Sequence, residues 1–333
     1  MKKIKDSTVG WGVIGVGNVC EVKSAPAMQL IDGSALVAVM RRDGPKARDY
    51  AERHGVPKWY QDADELINDP DVNAVYIATP PNAHAELTKK AAMAGKPVYV
   101  EKPMARTYQE CQEMVESCKN AGVPLFVAYY RRALPNFLKI KELVENGAIG
   151  EIRHVNIRMI QPLDPNREVD PEVNWRVDPG IAGGGYFFDL ASHQLDFLDF
   201  LFGPIAGAKG ISRNQAGLYP AEDIVTAAFE FENGVMGTGV WCFTGAAVSK
   251  EESTVIIGSK GQISYPSFGD AYVILETDEG GRQRFDFELP KHIQHPLIES
   301  IVKELLGEGR CPSTGETAQR TNLVMEQIVG AEY

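Results

Sequence analysis

Between residues 9 and 128, short apolar runs alternate with stretches of helical character, and this pattern constrains the fold more than any other feature of the chain. The first run, VGWGVIGV at 9–16, is β-branched and ends in glycines; a helix-like stretch from Asn18 to about Ile31 leads to a second run, LVAVM at 36–40. Two apolar runs separated by enough residues for a crossover helix read as β-α-β with parallel strands. The pattern continues with a helix around 44–54, a helix-start signal at Asp62-Ala63-Asp64-Glu65-Leu66-Ile67, and a buried strand at 74–78 (AVYIA). A helix at 82–95, a strand at 97–100 (PVYV), a helix at 107–121 and a strand at 124–128 (PLFVA) complete it. Strands apolar on both faces, alternating with helices, predict an α/β doubly wound parallel sheet.

After Arg132 the character changes. A helix at about 135–146 leads to strands near 151–160, a Pro/Asp/Asn-rich loop at 161–183 and a helix at 185–202 (GYFFDLASHQLDFLDFLF). Strands follow near 207–213, 223–232, 235–243, 253–258 and 271–288, and helices near 294–306 and 314–329 close the chain. Thr226, Ala228, Glu230 and Glu232 alternate with Val225, Ala227, Phe229 and Phe231, the period of a half-buried strand in a largely antiparallel open sheet. The expected organisation is two domains, 1–130 and 131–333, which 333 residues are long enough to support.

Composition narrows the function class. With 44% hydrophobic and 24% charged residues the chain reads as an ordinary folded protein, neither disordered nor membrane-spanning. Its 34 basic against 45 acidic residues leave a net charge of −11, which repels phosphate backbones and argues against nucleic acid, so the expected partner is a small molecule. Cys20, Cys111, Cys118, Cys242 and Cys311 contain no CxxC pair and no Cys/His cluster at ligand spacing, so no metal site is expected. Cys111 and Cys118 would lie about 10 Å apart along a helix, beyond disulfide reach, and reduced cytoplasmic thiols are the simplest reading. The basic start, Met1 to Asp6, is followed by an apolar stretch too short and glycine-punctuated for a secretory or transmembrane segment.

Gly15-Val16-Gly17-Asn18-Val19-Cys20 stands where the first strand turns into the first helix. There, glycine lets the backbone approach a pyrophosphate and the helix start favours negative charge. Alone it is equally a tight structural turn; its place on the first strand of a doubly wound sheet points to a dinucleotide. Cys20 replaces the third glycine of that fingerprint, so looser helix-strand packing is expected. The second strand ends at Met40-Arg41-Arg42-Asp43, with Arg41 where an acid commonly meets the ribose hydroxyls of NAD. Guanidinium groups match a 2′-phosphate, so NADP is favoured over NAD, against the alternatives of a solvated basic turn or a ribose contact from Asp43. Lys46 and Arg48 extend this into a basic cluster.

Thr79-Pro80-Pro81-Asn82-Ala83-His84 and Glu101-Lys102-Pro103 follow the strands at 74–78 and 97–100, at the carboxyl ends where open α/β sheets bind ligands. Lys102 sits between a buried strand and a proline whose peptide bond is a candidate for cis; the plain alternative is a surface lysine. In the helix at 185–202, Asp189 and His193 are four residues apart on one face among Leu190, Leu195, Phe197 and Leu198, so both need partners in a buried setting. A structural hydrogen bond explains such a pair, but Gly183-Gly184-Gly185 just before it also suits close approach of backbone to a ligand.

These segments together (the GVGNV turn, ATPPNAH, EKP, Trp175-Arg176 and GGGYFFDLASH) resemble the Gfo/Idh/MocA family of glucose-fructose oxidoreductase, inositol dehydrogenase and MocA, over essentially the whole chain. The resemblance implies a Rossmann domain followed by an α/β domain whose open sheet often mediates homo-oligomerisation, here as a dimer or tetramer. It also implies redox chemistry at a carbonyl or hydroxyl carbon of a sugar, polyol or related compound. Within the family the Arg41-Arg42 ending and the 161–178 loop are most similar to NADP-dependent reductases such as 1,5-anhydro-D-fructose reductase. Carried over by position, Gly15, Val16, Gly17, Asn18, Val19, Arg41, Arg42, Thr79, Pro80, Asn82, His84, Glu101 and Lys102 are expected at the cofactor, with Trp175 and Arg176 reaching over it from the second domain. Lys102, Asp189 and His193 match the catalytic set. Ala191 stands where relatives often have glycine, and the family's second-domain Tyr or Asn has no sure counterpart beyond His292 or His295. Which of Tyr129, Tyr130, Arg131 and Arg132 faces the substrate is left open.

The implied reaction is carbonyl reduction by NADPH, with His193 supplying the proton, Lys102 hydrogen-bonding the same oxygen, and Asp189 orienting either the imidazole or substrate hydroxyls. Three rivals remain. One is an NAD-dependent glycosidase on the same fold; another is a non-catalytic cofactor-sensing regulator, against which the retained Lys102, Asp189 and His193 argue. The third is an NAD-linked inositol or dihydrodiol dehydrogenase.

Overall fold

Strands whose side chains are apolar in both directions can only be buried between two helical layers, and that is how the central strands of the first half of the chain fold. The computed structural model describes Ile4, residues 7–162 and residues 174–330. In chain order the first elements are β1 (Val9–Ile14), α1 (Asn18–Val22), α2 (Ala25–Met28), β2 (Ser34–Met40), α3 (Gly44–His54), β3 (Lys58–Tyr60) and α4 (Ala63–Asn68). There follow β4 (Ala74–Ile77), α5 (His84–Met93), β5 (Val98–Val100), α6 (Tyr108–Ala121) and β6 (Leu125–Val127). The strands pair in parallel in the order β3-β2-β1-β4-β5-β6, so the order of strand addition reverses between β1 and β4. Local signals set the helices: Asp43, Asp62 and Thr107 cap α3, α4 and α6 through their side chains, and Gly55 and Gly122 end α3 and α6 at positive φ.

The single helix expected from Asn18 to Ile31 is two short ones. Pro26 has no N–H to donate and is tolerated only in a first turn, so a new helix starts at Ala25.

The second half begins with α7 (Pro135–Glu145) and β7 (Ile152–Pro162), followed by α8 (Pro179–Ala182), a π-helical turn at Phe187–Ala191 and α9 (Ser192–Phe202). The remaining strands are β8 (Ile205–Arg213), β9 (Ile224–Phe231), β10 (Met236–Gly245), β11 (Glu251–Gly258), β12 (Gly261–Tyr265), β13 (Tyr272–Thr277) and β14 (Gly281–Asp286). They form an eight-stranded sheet in the order β14-β13-β12-β11-β7-β10-β9-β8, antiparallel except where β7 and β10 run side by side in parallel. Val155, Ile157, Phe229, Trp241, Ile256 and Ile263 face inward, and aromatic side chains weld the helices to that face: Phe137 and Phe197 meet edge-on at 4.7 Å, and Phe187 and Trp241 at 5.0 Å. The run at 271–288, expected as one strand, is a hairpin that turns at 278–280; β12 and the three-residue β3 have no counterpart among the expected strands.

The last elements are α10 (His295–Leu306) and α11 (Gly315–Val329). The chain divides into two compact units, Met1–Ala133 with Pro290–Gln319 and Leu134–Leu289 with Arg320–Tyr333. The expected split at residue 130 therefore omits a return: residues 290–319 complete the first unit. There Thr314 bridges Phe126, and the Ser313 hydroxyl donates to the Val127 carbonyl at 2.7 Å. The basic start and residues 163–173 of the expected loop lie outside the described residues. All five cysteines are unbridged, and among the described residues no helix is long and apolar enough to cross a membrane.

Candidate functional site

Where the strand order of the first sheet reverses, the ends of β1 and β4 lie side by side, and this is the place where open α/β sheets take ligands. Gly15 closes β1 at φ +93°, and a Cβ there would stand 2.9 Å from the Thr79 methyl and 3.0 Å from the Thr79 nitrogen. Gly15 is thus demanded by both its backbone and its neighbour. Gly17 is not: its backbone is extended (φ −132°, ψ −162°), and a Cβ would meet nothing nearer than the Gly15 carbonyl oxygen at 3.9 Å. Among the described residues no neighbour crowds a Cβ at 17, and the open space above it suits a pyrophosphate. Beside Gly15 the buried Thr79 hydroxyl has no hydrogen-bond partner among the described residues. Both observations fit a dinucleotide. Cys20, at the third fingerprint position, is fully buried, and burial pushes its thiol up to about 12.

Arg41 bends back over this turn, its Nη1 donating to the Val16 carbonyl at 3.1 Å, while Arg42 is exposed. Asp43 is occupied: it caps α3 through the Lys46 N–H at 3.2 Å and pairs with the Lys46 ammonium at 3.1 Å. Arg48 pairs with Glu52 at 2.6 Å. The basic cluster read from the sequence therefore reduces to Arg41 and Arg42, since Lys46 and Arg48 already have carboxylate partners.

Asn82 is exposed, and Pro80 precedes the turn that opens α5. His84, expected at the cofactor, is instead fully buried, with Nε2 2.8 Å from the Thr79 carbonyl oxygen and Nδ1 3.1 Å from that of Met104. Burial lowers its pKa, and the Thr79 and Met104 carbonyl oxygens facing its two nitrogens act against that shift. Its role is to tie the loop after β4 to the loop after β5.

Lys102 is half-buried, and its bond to Pro103 is cis. The preceding Glu101 is 7% exposed, and its carboxylate accepts the Tyr76 hydroxyl at 2.6 Å, the Gln294 amide at 2.7 Å and the Lys102 N–H at 3.2 Å. Gln294 in turn accepts the Tyr99 hydroxyl at 2.7 Å, and the rings of Tyr76 and Tyr99 stack at 4.7 Å. A closed buried network thus sets the backbone from which Lys102 projects. Gln294 lies 193 residues beyond Glu101, and no local pattern announces it. His292, considered for a second-unit role, belongs to the first unit, with its Nδ1 2.6 Å from the Val22 carbonyl oxygen. Arg132, likewise, holds the chain return by donating to the Pro312 carbonyl and the Thr317 hydroxyl, both at 2.8 Å; Tyr129, Tyr130 and Arg131 are buried beside it in sequence.

In the second unit, the Asn174 side chain donates to the Tyr186 hydroxyl at 2.8 Å, and the Arg176 guanidinium lies 4.4 Å over the Trp175 ring. The Arg176 Nε is 3.3 Å from the Asp189 carboxylate. From sequence, Asp189 is open to the imidazole or to substrate hydroxyls and Arg176 is expected over a cofactor; the structure pairs the two with each other. Asp189 sits in the π-helical turn, a feature often found at functional sites, and His193 follows in the first turn of α9, 3% exposed, its ring edge-on to Phe268 at 5.9 Å.

The glycine run before them serves packing. A Cβ on Gly184 would lie 2.1 Å from the Phe188 ring, and one on Gly185 would lie 2.8 Å from the Glu222 carbonyl oxygen. The Gly185 N–H donates to the Glu222 carboxyl at 2.8 Å, a group that burial pushes above the usual carboxylate range. The protein itself fills the space that the glycines alone would leave to a ligand.

Comparison with known proteins agrees with this geometry. Residues 9–129 match the description "oxidoreductase family, NAD-binding Rossmann fold", and residues 137–264 match the GFO/IDH/MocA C-terminal domain. The chain is 39% identical to oxidoreductase P35 of Formosa agariphila over 98% of its own length and 99% of that protein's. It is 28% identical to 1,5-anhydro-D-fructose reductase of Ensifer adhaerens over 92% and 91%. The fold matches that of a levoglucosan dehydrogenase in complex with NADH and levoglucosan, at a TM-score of 0.86, 23% identity and 96% coverage of both chains. With both halves matched in order and a relative aligned nearly end to end, the chain belongs to the Gfo/Idh/MocA family of oxidoreductases, with a nicotinamide-dinucleotide-binding Rossmann fold in its first half.

Proposed function

We propose that the chain reduces a carbonyl carbon of a sugar, polyol-derived ketone or related compound with NADPH, and catalyses the reverse oxidation through the same groups. The observation that carries this reading is the end of β1: an uncrowded glycine at 17 with the Arg41 guanidinium bent over the turn and the following acid, Asp43, already engaged. In this reading the backbone of Gly15, Val16, Gly17, Asn18 and Val19 cradles the pyrophosphate. Arg41 and Arg42 meet the 2′-phosphate, which an acid at that position would repel. Thr79, Pro80 and Asn82 line the nicotinamide half. The bound dinucleotide supplies the hydride.

The remaining work falls to side chains. Lys102 donates to the substrate oxygen and stabilises the negative charge that grows there. His193 gives that oxygen its proton and takes it back in the oxidative direction, imidazole being the side chain whose unperturbed charge change lies nearest neutrality. Asp189, its charge balanced by Arg176, is assigned to substrate hydroxyls rather than to the imidazole. The relatives named for 1,5-anhydro-D-fructose and levoglucosan support a carbohydrate-like substrate. Assembly as a dimer or tetramer through the open sheet belongs to the same reading.

Fluorescence titration with NADPH and NADH, followed by absorbance assays on 1,5-anhydro-D-fructose, levoglucosan and myo-inositol, tests it. Tighter binding of NADH would overturn the role of Arg41 and Arg42. In a Lys102→Ala protein that still binds the dinucleotide, turnover should fall by about 100-fold or more; near-normal turnover would overturn the role of Lys102.

A further inference from the structure

Behind His193 lies an acid that neither the motifs nor the mechanism uses. Glu252, the second residue of β11, is half-buried, and its carboxylate collects donors from two separate parts of the second unit. The Ser267 N–H reaches it at 2.8 Å and the Phe268 N–H at 3.1 Å, both in the turn after β12; the Gln194 amide reaches it from α9 at 3.1 Å. Three donors from two segments converge on one carboxylate, which therefore staples the turn to the helix.

One arm of the staple ends at the His193 imidazole and the other at the residue next to it in the chain. The turn carries Phe268, whose ring meets His193 edge-on at 5.9 Å and 73°. The helix arm holds Gln194, the next residue in the chain, whose carbonyl oxygen also accepts the Trp241 indole N–H at 2.7 Å. Gln194 is therefore fixed at both ends of its amide. The Gln194 side chain and the turn that carries Phe268 to the His193 ring thus share one carboxylate, 59 positions beyond His193 in the chain.

We propose that Glu252 is a positioning residue for His193, holding the imidazole in its reactive orientation through Phe268 and Gln194. The proposal rests on the reading of His193 as proton donor. It matters because proton transfer needs heavy atoms within about 2.6–3.2 Å. A displacement of about 1 Å can lower turnover by about 100-fold.

The contact and its catalytic consequence can be tested separately. Protein labelled with ¹³C-histidine shows six imidazoles, and His193→Gln assigns the resonance of interest. In Glu252→Ala that resonance should move in the same direction as in Phe268→Leu, while the other five stay in place. With NADPH and 1,5-anhydro-D-fructose, or whichever substrate of the panel above is turned over, kcat should fall by about tenfold or more, with cofactor affinity within about twofold of wild type. In the His193→Gln background, Glu252→Ala should lower kcat no further. Should Glu252→Ala fail to fold, Glu252→Gln, which keeps one acceptor oxygen, should give the same shift with smaller amplitude.

An unmoved His193 resonance in a folded Glu252 variant would overturn the proposal, as would an additional loss in the His193→Gln background. If His193→Gln itself kept wild-type turnover, the proton-donor reading would fall and take the catalytic claim with it. The resonance shift would still decide, independently of turnover, whether Glu252 holds the imidazole.

Discussion

Gly15 and Gly17 are two residues apart in one turn, yet the structure assigns them unequal responses to the same added methyl group. At Gly15 an alanine must adopt φ +93°, which costs about 1–2 kcal/mol for an L-residue. Its Cβ would also press on Thr79 at 2.9 Å, an overpacking worth about 1–3 kcal/mol. Against this stands a gain of about 0.4–1 kcal/mol from a stiffer unfolded chain, leaving Gly15→Ala destabilised by about 2–4 kcal/mol. At Gly17 the backbone is extended and the nearest atom is 3.9 Å away, so the gain is opposed only by the poorer capping of α1 by alanine than by glycine, and Gly17→Ala should stay within about 1 kcal/mol of wild type. Gly55→Ala separates the two costs: its φ is +65° but no atom lies within 4 Å, so it should lose about 1 kcal/mol from conformation alone.

Thermal unfolding without cofactor reads these differences at about 2–4 °C per kcal/mol. Fluorescence titration with NADPH and NADH supplies the second axis. If the space above Gly17 receives the pyrophosphate, the methyl group there displaces one charge-assisted hydrogen bond worth about 1.5–3 kcal/mol, weakening binding by about 10- to 150-fold. Gly17→Ala should thus unfold near the wild-type midpoint and bind less, whereas Gly55→Ala should be less stable and bind normally. Wild-type binding by Gly17→Ala would refute the assignment of the cradle, and a loss of stability as large as that of Gly15→Ala would refute the claim that no neighbour crowds position 17.

Three further outcomes follow from buried polar contacts. Gln294→Leu strips one donor from Glu101 and leaves the Tyr99 hydroxyl without its acceptor, so urea unfolding should show a loss of about 2–4 kcal/mol. Turnover should fall as well, because Glu101 also holds the Lys102 N–H. Arg320→Ala leaves Asp199, 2% exposed, without the guanidinium that binds it in two places. It should cost about 3–5 kcal/mol, most of it recovered when Asp199 is also replaced by leucine. Burial alone would raise the Asp69 carboxyl, but Lys58 at 2.8 Å, the Asp71 N–H and the Tyr60 hydroxyl together hold it below its ordinary 3.8. A depressed acid stabilises the fold above its unfolded pKa and loses that contribution as pH falls through the folded value. Asp69→Asn should therefore cost about 2 kcal/mol at pH 7, with the difference from wild type shrinking below about pH 4 in a urea series.

Much of the first unit was legible because its signals are local. Apolar runs on both faces, caps at Asp62 and Thr107 and a glycine turn after β1 each act within a few residues, and the sheet, its helices and the candidate turn follow from them. Local reading failed where signals were short or shared. KWY at 58–60 and GQISY at 261–265 are too brief for periodicity to separate them from loop, and Asp278-Glu279-Gly280 splits what looked like one strand. The glycine run at 183–185 carried a real constraint, but periodicity does not tell whether the close neighbour is a ligand or, as here, Phe188 and Glu222.

The sequence by itself determined the layered α/β architecture, the placing of Gly17 and Lys102 at strand ends, and the presence of Asp189 and His193 on a buried helical segment. Each of those follows from backbone preference or from a period of two or 3.6 residues. Tertiary structure alone decided the partners: Arg176 for Asp189, Gln294 for Glu101, Glu252 for the turn behind His193, and carbonyl oxygens for His84. A buried polar group is stable only with a partner, and any donor or acceptor of suitable shape can serve. Which one does so depends on residues tens to hundreds of positions away meeting in space.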